Sequence, residues 1–263
     1  MKQLTLPEMH QLLLRMLECI HEYCMANNIR YSLGGGTLLG AIRHKGFIPW
    51  DDDVDIMMPR PDYERFLQGF PHQYPHYGLR HWKNDKDYPY LFAKVYDDRT
   101  RVDGYKFLIG LFVDVFPIDG LPHISKQKRY WDRYIKSRLF EYIQKKTFGS
   151  MSWKLKILTV MTFPIWRFIP ANKFRGYTEK FLHKYPFESS ECAGCTVGKY
   201  GMAEFMDNDT FRHYIDVPFQ GLLLRAIAAY HPYLTQHYGN YMQPLPEEMR
   251  KPEHHFTCWW MEN

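Results

Sequence analysis

Behind Thr5-Leu6-Pro7-Glu8, apolar residues recur at Met9, Leu12, Leu13, Met16, Leu17 and Ile20. This spacing and the capping-box signature predict one amphipathic helix over residues 6–26, stopped at Asn27-Asn28. Ile29–Leu33 reads as a short strand, and Gly34-Gly35-Gly36 as the turn leaving it. Residues 37–44 predict a short helix whose N-terminus faces that turn, a ready anion site. Val54–Met58 is the next strand, and alternation sends Asp53 and Asp55 to one face while Val54 and Ile56 enter the core. Pro59 and Pro61 end it, and a helix follows through Tyr63, Phe66 and Leu67. Leu91–Tyr96 and Leu111–Phe116 are further strands. Residues 124–184 read as helical, and another helix is expected near Leu222–Tyr230.

Composition changes this picture only at its edges. The 263 residues can bury a full core and carry a net charge of +5. The basic residues are scattered rather than striped, which sets a nucleic-acid partner aside. No run of about 18 apolar residues predicts a membrane span, and no signal pattern opens the chain, so a cytoplasmic location is expected. The apolar stretch Ile157–Ile169 is broken by Pro164 and flanked by Lys154, Lys156, Arg167 and Lys173. It makes 151–170 a candidate for peripheral contact with the inner face of a membrane, although burial against the sheet is the commoner fate. Five cysteines without a secretory signal are expected as reduced thiols. Cys192 and Cys195, with Cys258 and His254 or His255, form a loose zinc pattern ranked below plain buried thiols.

The chemistry concentrates in residues 33–58, where a glycine turn, the triplet Arg43-His44-Lys45 and the carboxylates of Asp51, Asp52, Asp53 and Asp55 lie together. Glycines let backbone N–H groups approach an anion. Cationic side chains meet phosphate oxygens, and clustered carboxylates are the hard oxygen ligands that Mg²⁺ prefers. The set describes a site for a metal-bound nucleotide diphosphate. An EF-type calcium loop shares the first acid spacings and even finds Asp62 at its twelfth position. Its sixth position, however, is Ile56 where glycine is required. Asp114 lies inside the apolar strand Leu-Phe-Val-Asp-Val-Phe, an expensive place for a charge without a partner or metal. It is the natural third ligand.

The stretch from Gly36 to Ile56, then Leu111–Gly120 and Tyr238-Gly-Asn-Tyr-Met242, resembles the successive motifs of the LicD family, which includes bacterial phosphocholine transferases and, more distantly, fukutin and fukutin-related protein. The resemblance implies an α+β fold with a nucleotidyltransferase-like mixed sheet flanked by helices. Residues 1–120 would form the catalytic core, and a mostly helical, aromatic-rich part over 121–263 would pack on it. It implies a CDP-activated alcohol as donor, most of all CDP-choline, and a sugar hydroxyl on a glycan or lipid-linked glycan as acceptor, with CMP released. Mg²⁺, or Mn²⁺ in its place, would be held by Asp53, Asp55 and Asp114, and Asp114 could take the acceptor proton. Gly35, Gly36 and Thr37 would cradle phosphate. Arg43, His44, Lys45 and Lys94 are candidate phosphate ligands, with a packed His44 and an exposed strand Lys94 as alternatives. Transfer of ribitol phosphate, nucleotidyl transfer to a small molecule, and non-enzymatic glycan or choline binding are the competing readings.

Overall fold

The computed structural model describes residues 1–71, 73–85, 87–104, 109–145, 171–252 and 256–261, together with positions 153, 157, 160 and 161. In chain order the elements are β1 (Lys2–Gln3), α1 (Leu6–Ala26), β2 (Ser32–Leu33), α2 (Gly35–His44), β3 (Asp55–Pro59) and α3 (Arg60–Gly69). Then come β4 (Tyr77–Arg80), β5 (Ala93–Asp97), β6 (Thr100–Asp103), β7 (Phe112–Leu121), α4 (Ile124–Lys145) and α5 (Ala171–Leu182). The chain continues with β8 (Cys192–Gly194), β9 (Met206–Asp207), β10 (Tyr214–Phe219), β11 (Leu222–Ile227), α6 (Tyr230–Tyr238) and β12 (Thr257–Trp260).

This is the expected α+β architecture. Helix α1 starts at the predicted capping box, where Glu8 accepts from the Thr5 N–H and hydroxyl at 2.8 Å each. Its stripe of Leu13, Met16, Leu17 and Ile20 is wholly buried and packs into the core under the main sheet. That sheet runs β2-β3-β7-β5-β4. Only β3 and β7 pair in parallel, and the other neighbours on this path are antiparallel. Strand β7 is ten residues long. Its first half sits between β3 and β5, while its far end pairs with β8 at Asp119↔Gly194. A smaller sheet, β1-β12-β6, joins the two ends of the described chain.

One expectation changes. Residues 222–230 are not a helix: β10 and β11 form a hairpin with Phe219↔Leu222 as its last pair. Gln220 and Gly221 both have positive φ, 50° and 87°, the mirror-image turn whose twist suits a two-residue hairpin. The leucines then alternate in exposure along a strand, and the helix begins only at Tyr230. The described residues after Leu121 accordingly carry β8 to β12 beside their helices. Most of 151–170 lies outside the described residues. Its described positions Trp153, Ile157, Val160 and Met161 are helical and exposed. Among the described residues, no helix is long and apolar enough to cross a membrane.

Candidate active site

The parallel pairing of β3 with β7 places Asp55 opposite Asp114, and the antiparallel pairing on the other side of β7 places Lys94 opposite Asp114. One row across the sheet therefore reads Asp55, Asp114, Lys94. The Lys94 ammonium is buried and ion-pairs with Asp114 at 2.5 Å. It also lies 3.4 Å from the centre of the Phe112 ring. This excludes an exposed Lys94, and its ammonium is directed to Asp114. Burial lowers the Lys94 pKa despite the nearby carboxylates.

Among the described residues, Asp55 has no such ion pair. Burial first, then repulsion from Asp53, Asp114 and Asp51, pushes its pKa well above the ordinary carboxylate range. The carboxylates of Asp51, Asp52 and Asp53 can bring ligand oxygens within 4.8 Å of one another. A concave site with this much like charge suits a divalent cation, and its hard oxygen donors suit Mg²⁺ or Mn²⁺. Asp62 belongs elsewhere: it pairs with Arg30 and Arg65, so the calcium-loop geometry is not formed.

The glycine turn lies directly over these acids. Gly34 donates its N–H to the Asp55 carbonyl at 2.9 Å and caps α2. Gly35 has φ +46°, and a Cβ there would stand 2.8 Å from an Asp55 carboxylate oxygen. A Cβ on Gly36 would be 3.0 Å from Asp51 Oδ2. The N-terminus of α2 is thus open to a ligand touching both backbone amides and acids. The Thr37 side chain anchors the turn: its buried Oγ1 accepts from the Asp55 N–H at 2.9 Å, pinning the strand to the helix.

Of the basic triplet, Arg43 reaches the cavity. Its guanidinium donates to the Tyr241 carbonyl and to His44 Nε2, both at 2.9 Å. Lys45 ends α2 in a left-handed conformation, φ 57°, and its carbonyl accepts from Gln220. His44 and Lys45 do not line the cavity, which encloses about 690 Å³ over Gly35, Gly36, Asp51, Asp53, Asp55 and Asp114.

Its far walls come from residues whose roles the sequence did not disclose. Tyr233 accepts from the Gly35 N–H at 3.4 Å, and Tyr238 lies beside it on the same helix. Glu204 is buried against His237, with Nε2 to Oε2 at 3.0 Å. Only the Tyr238-Gly-Asn-Tyr-Met242 motif marked this region, without assigning a role. Cys195 also lines the cavity, whereas Cys258 is in β12. Among the described residues, no cysteine belongs to a group of three potential metal ligands, and His254 and His255 lie outside the described residues.

A mixed α+β sheet with a glycine-capped helix N-terminus over acids on two parallel neighbouring strands is the arrangement of the nucleotidyltransferase class. The family model described as LicD/FKTN/FKRP, nucleotidyltransferase domain, matches residues 28–162, and the chain belongs to this family. The lipopolysaccharide cholinephosphotransferase LicD of Haemophilus influenzae is 35% identical over 97% of both chains. An uncharacterized protein of Rickettsia typhi is 31% identical over 46% of this chain and 47% of its own. The human ribitol 5-phosphate transferase FKRP is 61% identical over 31 residues, 12% of this chain and 6% of its own. These relationships support a phosphotransferase activity.

Proposed function

We propose that the protein transfers phosphocholine from CDP-choline to a sugar hydroxyl of a glycan or lipid-linked glycan and releases CMP. The observation that carries the chemistry is the half-buried Asp55, crowded by like charges, beside a glycine turn whose Gly35 and Gly36 line the same cavity. The choice of phosphocholine rests on the full-length likeness to a cholinephosphotransferase.

In this reading Asp53, Asp55 and Asp114 would hold Mg²⁺, or Mn²⁺ in its place, and Asp51 and Asp52 would complete the negative field. The ion supplies charge neutralisation at the diphosphate and polarisation of its phosphoryl oxygens. Gly35 and Gly36 present amides to those oxygens, and Arg43 lies on the cavity wall where it can meet the CMP phosphate. The acceptor oxygen bonds to the phosphorus that carries choline, the bond from that phosphorus to the CMP oxygen breaks, and the hydroxyl proton passes to an Asp114 carboxylate oxygen. Lys94 orients Asp114 for this step. The work of the protein is mainly positioning and electrostatic stabilisation.

CMP release from CDP-choline, measured with Mg²⁺ and with EDTA in the presence of a glycan extract, tests this directly. Metal-dependent release is expected. Turnover of CDP-ribitol alone would favour the second reading, which the short, highly identical match to the ribitol 5-phosphate transferase supports. No CMP from either donor would overturn phosphoalcohol transfer. We place the protein on the cytoplasmic side, with peripheral membrane contact through 151–170 and no nucleic-acid partner.

A further inference from the structure

Two residues beyond the acids, the floor of the site becomes apolar. Met57 and Phe116 are register partners on β3 and β7 and lie on the same face as Asp55 and Asp114. Phe92 packs on Phe116 with ring centroids 4.5 Å apart, and Tyr90 stacks on Phe92 at 4.9 Å. Strand β8 pairs with β7 beside this floor, at Asp119↔Gly194, and brings the following Cys195–Gly198 segment to the cavity. Glu204 approaches that segment so closely that a Cβ on Gly198 would stand 2.5 Å from its Oε1. The Tyr200 and Tyr238 rings meet edge to face at 5.8 Å, and both line the same cavity as Glu204.

This end of the cavity thus combines aromatic rings with one buried carboxylate. His237 keeps that carboxylate in place. Its Nε2 faces Glu204 at 3.0 Å and its Nδ1 faces the Tyr233 carbonyl at 2.7 Å, so both ring nitrogens meet acceptors. The rings of the floor already have a cation: the Lys94 ammonium lies 5.5 Å from the centre of Tyr90 and 5.4 Å from that of Phe92. The carboxylate of Glu204, rather than the rings alone, is what draws a second cation toward Tyr200 and Tyr238. Tyr200 already receives a cation, the exposed Lys199, at 5.3 Å from its centre.

We propose that Tyr200, Tyr238 and Glu204 receive the quaternary ammonium of the donor headgroup, with Phe92 and Phe116 as the apolar floor for its methyl groups. Aromatic faces attract such cations, and a carboxylate beside them adds a counter-charge. The inference rests on the phosphocholine reading above and specifies where that reading's selectivity resides.

Calorimetric binding of CDP-choline and of CDP-glycerol, a donor with a neutral headgroup, tests it in the presence of Mg²⁺ and without any acceptor. The wild-type protein should prefer CDP-choline. Tyr200→Leu and Glu204→Gln should each weaken CDP-choline about 3- to 30-fold while leaving CDP-glycerol within about twofold. Unchanged CDP-choline affinity in folded variants overturns the subsite and leaves the phosphocholine reading standing. Equal weakening of both donors also overturns it, because the substitutions then act on the whole site. A wild-type protein that does not prefer CDP-choline sinks the reading and the subsite together. If Glu204→Gln fails to fold, as judged by its melting curve, the half-buried Tyr200 decides the matter alone.

Discussion

Asp55 and Asp114 stand opposite each other across the parallel strands β3 and β7, yet only Asp114 has a lysine beside it. Asp55, which lacks that ion pair, is the strained one. Asp55→Asn should therefore reduce CMP release by roughly a thousandfold or more while raising the metal-free stability by about 1 kcal/mol, a few degrees in Tm. Mg²⁺ should raise the melting temperature of the wild type more than that of the variant. Asp53→Ala should likewise abolish transfer with the fold intact, and wild-type turnover in it would remove Asp53 from the site.

Thr37 separates hydroxyl chemistry from size. Its Oγ1 is the acceptor for the Asp55 N–H. Thr37→Val leaves that amide without its partner and should cost about 1–3 kcal/mol, with a loss of turnover, while Thr37→Ser should restore most of both. Equal urea midpoints for the Val and Ser variants would contradict the assignment.

Gly35 cannot accept a side chain cheaply. Its φ is +46° and a Cβ would press on the Asp55 carboxylate. Gly35→Ala should cost about 1–2 kcal/mol from the left-handed backbone alone, and turnover should fall further than stability does. Normal donor affinity and rate would show that the turn does not cradle phosphate.

Behind the site, Arg60 grips Asp119 through two buried hydrogen bonds of 2.7 and 2.9 Å, and Thr196 adds a third contact to Asp119 at 3.2 Å. Arg60→Ala strands a buried carboxylate and should destabilise the fold by about 3–5 kcal/mol. Replacing both partners with apolar residues should cost less than this single change, which a double-mutant cycle of unfolding energies will read.

His81 sets an acid limit on stability. It is buried, Nδ1 accepts the Lys83 N–H, and burial followed by the charges of Lys83 and Arg60 holds its pKa down at about 3. Below about pH 6.5 the unfolded chain takes up a proton that the native ring refuses. Stability must then fall with pH, by up to about 1.4 kcal/mol per unit, until the native ring also titrates near 3. Urea unfolding from pH 7.5 to 4.5 should show a shallower dependence in His81→Gln, and parallel curves for the two proteins would refute this source of acid sensitivity.

Helix α1, the glycine turn and the acid strand were readable because each is specified by neighbours within a few residues. The β10–β11 hairpin was not, since a run of three leucines fits either period and the deciding signal was the Gln220-Gly221 turn. The same distinction governs the site. Asp51, Asp52, Asp53 and Asp55 announce themselves as a local cluster, and Asp114 as a charge in an apolar strand. Lys94 could be read as exposed or functional until register placed it against Asp114. Glu204, His237 and Tyr233 carry no local mark, because their meaning comes from tertiary contacts.

The bond between Gly35 and Tyr233 joins positions 198 apart in the chain. During synthesis the acids and the glycine turn leave the ribosome long before the helix that roofs them. A nascent chain that has reached only residue 162 holds the whole family-matched segment but none of Glu204, Tyr233 or Tyr238. A partly made chain therefore carries the charged centre without the walls that shape it.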